Sequence, residues 1–411
     1  MADQLIIIGN GFDLHCDLDT KFTDYFEETK PPIGDNVIKI FFNLDSYNSN
    51  IMYNTHPYFK KSSFWDIYFN LLNLDNIKDW SDIEKQINIF LKCESIENTE
   101  QSHFLKLINF WFIYYYLNQK SQLSIYEQSI FYKADSFLST SHTHLSQKLG
   151  DYIFKEVMLN SNGKYEKELK PLSHHITSTV SLDDLFYINK EFLYKYLLDE
   201  LKVFEINIKK YIQNQVEINY KHHAYTNKYN KTITKLANNK PYNLISFNYT
   251  RPMNITTTPP YTEFTTPKNC QNFINIHGTS DKDIIIGIDE KGIDESDILY
   301  RFTKTYRLFE LDSNEISCLN KSVNHIKFYG HSLAAADYSY FQTIFDFYDI
   351  YNSDIDLTFY YSNFDGDQRH LNINRVVKLI KTYGNTLSNK DHGKNLLHKL
   401  KIENRLSIKE L

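Results

Sequence analysis

The sequence predicts an α/β protein on a doubly wound, largely parallel sheet, with a large, mostly helical insertion after the first strand. Three observations predict it. A short apolar run of buried-strand type, Leu5-Ile6-Ile7-Ile8, stands directly ahead of Gly9 and Gly11. Glycine is then absent from Gly34 to Gly150 and again from Gly163 to Gly278, and helical periodicity fills those stretches. After Pro241, short strand patterns alternate with helical ones. Glycine is also scarce, 12 residues in 411, against the ~7% usual in proteins. Where it occurs, it marks a place that needs positive φ or close backbone approach.

The first strand is the Leu5–Ile8 run. Within the insertion, read as 60–235, Ser81 and Glu84 form a capping box ahead of Ile83, Ile87, Phe90 and Leu91 on one face. Ser181 with Asp184 opens a second helix, whose stripe includes Leu193, Leu197 and Leu201. Strand patterns resume at Tyr242–Asn248, Asn272–Gly278, Asp283–Asp289, His325–Gly330 and Ile355–Tyr361. Helices are expected from Asp337 to about Tyr351 and from about Asn372 to Tyr383. Pro252, Pro259, Pro260 and Pro267 mark a long loop. The sheet domain is therefore 1–59 with 236–385, and 386–411 is a carboxy-terminal helix and tail.

Composition narrows the function. With 42% hydrophobic and 23% charged residues the chain is globular, and a net charge of -6 leaves no broad basic face for nucleic acid. No apolar run approaches the ~18 residues of a membrane span, and the first residues lack the basic flank of a signal peptide. Cys16, Cys93, Cys270 and Cys318 are scattered without a CxxC pair, so neither a disulfide framework nor a cysteine zinc module is expected. A cytoplasmic location follows. The aromatics, 32 Tyr and 29 Phe, are read as core filler.

Parallel α/β sheets bind ligands beyond the carboxyl ends of their strands, and four such ends carry polar residues. The first is Gly9-Asn10-Gly11-Phe12-Asp13. Two glycines there permit a tight turn, and the backbone amides of Asn10, Gly11 and Phe12 are placed to hold a pyrophosphate. Asp13 either caps the helix or contacts a ribose. The second end is Ser246-Phe247-Asn248-Tyr249-Thr250, the third Asn275-Ile276-His277-Gly278. The fourth is Gly330-His331-Ser332, with Asp337 starting the next helix. Each alone has a bland reading: a turn, an Asn bonded to nearby backbone, a structural His. Their recurrence at consecutive strand ends favours a shared site.

IIIGNGFDLHCDLDTKFTDYF, WSDIE, LISFNYT, IHGTSDKDIIIGID and FYGHSLAAADYSYF, in that order, resemble the bacterial abortive-infection AbiH family as far as Phe341. Asp17 and Asp19 stand where that family tends to carry Gly and Pro. The layout is similar, more distantly, to sirtuin-like NAD-binding domains: Gly9 and Gly11 match the glycine turn, Asn248 the strand-end Asn, His277 the His, and Gly330-His331-Ser332 a nucleotide-contacting turn. Asn10 replaces the family's Ala and Thr250 its Asp. The zinc ribbon is missing, which argues against a deacetylase. The resemblance implies a Rossmann-like, sirtuin-like domain in anti-phage defence, with NAD as substrate and a phage or host protein as trigger. Other defence effectors suggest a homo-oligomer.

On this reading Asn248 and His277 are catalytic, and Gly9, Asn10, Gly11, Phe12, Asp13, Ser246, Gly330, His331, Ser332 and Asp337 bind the nucleotide. Cleavage of the nicotinamide–ribose bond expels a cationic base, so it needs no general acid. His277 supplies a base and Asn248 orients water or ribose. No metal or other cofactor is required. His142/His144, His174/His175 and His222/His223 lack a metal-binding frame. Two alternatives remain. Ser332 would be the nucleophile of a serine hydrolase, with Asp365 or Asp367 and His370 or His392. The protein would otherwise be a non-catalytic nucleotide-binding sensor of infection.

Overall fold

A computed structural model of the chain describes residues 2–29, 62–71, 77, 80–92, 190–220, 224–255, 262–311, 317–363, 366–388 and 390–411. Six strands form one fully parallel sheet: β1 (Gln4–Ile8), β2 (Tyr242–Ser246), β5 (Cys270–Asn275), β6 (His325–Tyr329), β7 (Asp356–Tyr361) and β8 (Leu406–Glu410). Their order is β5-β2-β1-β6-β7-β8. The chain thus builds outward from β1 on one side, returns, and builds outward on the other. A short antiparallel pair, β3 (Met253–Ile255) with β4 (Thr262–Phe264), occupies part of the proline-rich stretch expected to be loop.

Alternation along β1 makes the sheet two-faced. Ile6 and Ile8 enter one core, with Leu244 of β2 and with helices α1 (Asn10–His15), α2 (Phe22–Thr29), α3 (Phe64–Leu71), α4 (Trp80–Lys92), α5 (Lys190–Tyr220) and α6 (Ala224–Ala237). Leu5 and Ile7 enter the other, with α8 (Tyr338–Tyr348), α9 (Gln368–Gly384) and α10 (Lys390–Ile402). All five residues of β1 and of β2 are buried, which is why both read as apolar runs. The described helices of the expected insertion therefore cover one face of the sheet. Trp65, Tyr68 and Phe69 of α3 pack with Leu197 and Leu201 of α5 in that layer, as core filler should. Residues 93–189, with the start of the Ser181 helix, lie outside the described residues, as do all three His pairs.

Two expectations need correcting. Asp283–Asp289 is not a sheet strand: it makes only isolated bridges, Gly278 with Ile284 and Ile288 with Thr303. Its isoleucines are buried, so the apolar signal was real, but its amides bond elsewhere: Ile285 N–H to His277 O and Ile286 N–H to the Glu205 carboxylate. The segment read as a tail contains β8, which pairs with β7 from Leu357–Leu406 to Tyr361–Glu410. Among the described residues, no helix is long and apolar enough to cross a membrane.

Candidate functional site

The direction of chain build-up reverses between β1 and β6, and two turns touch there. Gly9 follows β1 and caps α1; Gly330 follows β6. Gly11 N–H donates to Gly330 O at 2.7 Å, and Phe12 N–H donates to Gly9 O at 2.8 Å. A Cβ on Gly330, whose φ is +71°, would lie 2.2 Å from Phe12 N, and one on Gly11 would lie 2.9 Å from Gly330 Cα. The glycines serve this backbone contact. Of the three amides expected to cradle a pyrophosphate, those of Gly11 and Phe12 already have partners. Asn10 is occupied too: its side chain accepts from Thr20 Oγ1 at 2.7 Å and donates to Thr20 O at 3.1 Å. Asp17 carries a φ of +65°, the conformation that glycine at this place would favour.

A cleft of about 290 Å³ opens beyond these turns. Asp13, expected as a cap or ribose contact, is turned inward from α1 and buried. Its Oδ2 accepts from Thr250 Oγ1 at 2.6 Å and its Oδ1 from Tyr225 OH at 3.0 Å. Burial pushes its pKa up to about 6, against the opposing hydrogen bonds. Asn248 lies beside it at the end of β2. Its backbone is fixed on two sides: N–H donates to Ser246 Oγ at 3.1 Å, and O accepts from Asn275 Nδ2 at 2.7 Å. The same Asn275 amide donates to Thr250 O at 3.0 Å. The Asn248 side chain reaches the Asp13 carboxyl closely enough to favour its charged form, yet neither of its polar atoms makes a well-formed hydrogen bond. Native proteins seldom leave such groups unpaired.

His277, following β5, is also buried, and its Nε2 has no hydrogen-bond partner. The nearest carboxylate is Asp337 Oδ1 at 3.6 Å. Burial, with help from nearby Lys304 and against Asp337, pulls its pKa down to about 3, so the ring is uncharged at neutral pH. Asp337 Oδ2 lies 3.3 Å from His331 Nε2. Leu333 N–H donates to His331 Nδ1 at 2.9 Å, which leaves Nε2 as that ring's donor. Lys304, opening α7 (Lys304–Leu308), places Nζ 2.5 Å from Asp337 Oδ1 and 2.7 Å from Glu84 Oε1. Burial opposes charge on Asp337, but Lys304 and the two imidazoles hold its pKa far below the carboxylate range. Burial likewise works against the Lys304 ammonium, and its two carboxylates raise its pKa above the ordinary value.

The structure thus brings Asn248, His277, Gly9, Asn10, Gly11, Asp13, Gly330, His331, Ser332 and Asp337 to one cleft. Phe12 and Ser246 stand behind it: Phe12 packs edge-on against Tyr229 and Tyr329, and Ser246 only fixes the Asn248 turn. Sequence reasoning missed Lys304, Tyr225 and the role of Glu84. Helix α4 begins at Trp80, and Glu84, expected in a capping box with Ser81, also places Oε1 2.7 Å from Lys304 Nζ. For the hydrolase alternative, Ser332 lines the cleft, but Asp367 and His370 are exposed. Asp365 and the side chain of His392 lie outside the described residues. Among the described residues, no three His, Cys, Asp or Glu side chains converge to hold a metal ion. No protein-family model matches the chain, and no curated protein resembles it closely enough to count as a match.

Proposed function

We propose that this cleft binds a dinucleotide and hydrolyses NAD at its nicotinamide–ribose bond, as the effector step of an anti-phage abortive-infection response. One observation carries the reading. The Asn248 amide and His277 Nε2 are buried without a well-formed hydrogen bond, on the wall of a cleft at the sheet's reversal point. A ligand with hydroxyl and amide groups would satisfy them. The strand order is that of dinucleotide-binding Rossmann sheets, which hold their ligand at this crevice. The sequence resemblance to AbiH and sirtuin-like proteins supports the cellular role.

In this mechanism the C1′–N bond breaks and its electron pair cancels the positive charge of the nicotinamide ring. Water, hydrogen-bonded to the unprotonated ring nitrogen of His277, bonds to C1′ of the oxocarbenium-like ribose and releases its proton to solvent. Asp337, ionised and 3.6 Å from His277, faces the positive charge that develops on the ribose. Asn248 orients the attacking water or the ribose hydroxyls, and its rigid backbone keeps that geometry. The products are ADP-ribose, nicotinamide and a proton.

The test is nicotinamide release from NAD by purified protein, beside His277→Ala and by protein added to lysate of infected cells. The expected outcome is release by wild type and a loss of at least about 100-fold in the variant, with an unchanged circular-dichroism spectrum. In cells, the same variant should lose protection against phage. Equal release by both proteins would remove His277 from the chemistry. Nucleotide binding without release, in buffer and in lysate alike, would make the protein a sensor.

A further inference from the structure

We propose that Arg375, on the α9 side of the cleft, binds the phosphate groups of the ligand and fixes which end enters. This rests on the nucleotide reading above and adds a site to it. At the glycine turn, the Gly11 and Phe12 amides already have partners. With those two amides taken, the positive charge available to an anionic ligand comes chiefly from side chains. Among the described residues lining the cleft, the Lys and Arg side chains are Lys21, Lys304 and Arg375. Lys304 is held between Glu84 and Asp337. Lys21 lies close enough to Asp24 to stabilise its carboxylate. Arg375 is exposed, and among the described residues it has no acidic partner.

Its setting suits phosphate. Gln368, Asn372 and Arg375 follow the i, i+4, i+7 spacing of one helical face, and all three line the cleft. Tyr360 and Ser362, at the end of β7, line the same side. A guanidinium presents a planar fork that matches two phosphate oxygens. The interior has the opposite character: Glu84 and Asp337 against Lys304 leave one negative charge in excess. Phosphate is repelled there, whereas a cationic ring is attracted. The ligand accordingly enters with its cationic base toward Asp337 and its phosphates at Arg375.

The experiment measures ADP-ribose binding by calorimetry, and turnover of NAD and of nicotinamide riboside, which lacks phosphate. Wild type, Arg375→Ala and Arg375→Lys are compared. We expect Arg375→Ala to weaken ADP-ribose binding about 10- to 100-fold, with partial recovery in Arg375→Lys. The preference for NAD over nicotinamide riboside should fall by a similar factor, through KM and not kcat. Arg375→Ala that binds ADP-ribose and discriminates as wild type does would overturn the phosphate site and leave the glycosidic reading intact. Arg375-dependent ADP-ribose binding without any nicotinamide release would do the reverse. A wild type that binds no ADP-ribose at millimolar concentration would refute both.

Discussion

Replacing Asp13 by Asn tests the electrostatics of the site without reference to any ligand. The carboxyl is fully buried, and burial raises its pKa from 3.8 to about 6. Between those values the unfolded chain releases the proton first, so stability is present below about pH 3.8 and lost as pH rises through 6. The full difference corresponds to about 3 kcal/mol at 1.36 kcal/mol per pKa unit. By linkage about 1 kcal/mol is lost by pH 4.5 and about 3 kcal/mol by pH 7.5. Asn carries no such cost, and the Tyr225 and Thr250 hydroxyls can rotate to satisfy its amide. Urea unfolding of both proteins at the two pH values supplies the assay. Asp13→Asn should gain about 2 kcal/mol on wild type between pH 4.5 and 7.5. Acid effects elsewhere cancel in that comparison. A difference between the two proteins that does not change with pH would refute the buried, raised carboxyl.

Asn248→Ala should cut nicotinamide release by about 100-fold or more, yet hold its melting temperature within about 2 °C. Losing a poorly satisfied buried amide offsets the packing lost with it; a large thermal loss would show that its contact with Asp13 is a full hydrogen bond. Gly330→Ala should cost about 3 kcal/mol or more in urea unfolding, since it combines a φ of +71° with a Cβ 2.2 Å from Phe12 N. Lys304→Met should cost about 3–5 kcal/mol at pH 7 by leaving two buried carboxylates without their ammonium. That loss should shrink toward pH 5 as the carboxylates take up protons, and a pH-independent loss would argue against the ion pairs.

Much of the architecture was legible because parallel strands buried on both faces leave an unmistakable apolar run: Leu5–Ile8, Tyr242–Ser246 and Ile326–Tyr329 all read correctly. The same rule misread Asp283–Asp289, because buried isoleucines report removal from water and not which partner their amides choose. β8 was missed for the opposite reason. Leu406-Ser407-Ile408-Lys409-Glu410 is half polar, as an edge strand can be, since one flank has no neighbour. At the site, the strand-end rule located Asn248, His277 and His331 one by one. It had no means to find Lys304 beside Glu84, because no local pattern links residues so far apart in the chain. Arg375 was within reach: it falls in the first turn of the helix expected from about Asn372, the first helix after the strand ending at Tyr361, and so near the sheet's carboxyl edge.

The pairing of β1 has a consequence during synthesis. Its partners are Asn243–Ser246 and His325–Tyr329, so the strand at the centre of the sheet is made first and completed late. At about 5–20 residues per second, roughly 12–50 s separate emergence of Ile8 from that of its β2 partners. Throughout that interval Leu5-Ile6-Ile7-Ile8 is an apolar strand with two open hydrogen-bonding edges, the kind of segment that pairs with other chains when concentration allows. The topology thus leaves the central strand open to mispairing until its partners have been made.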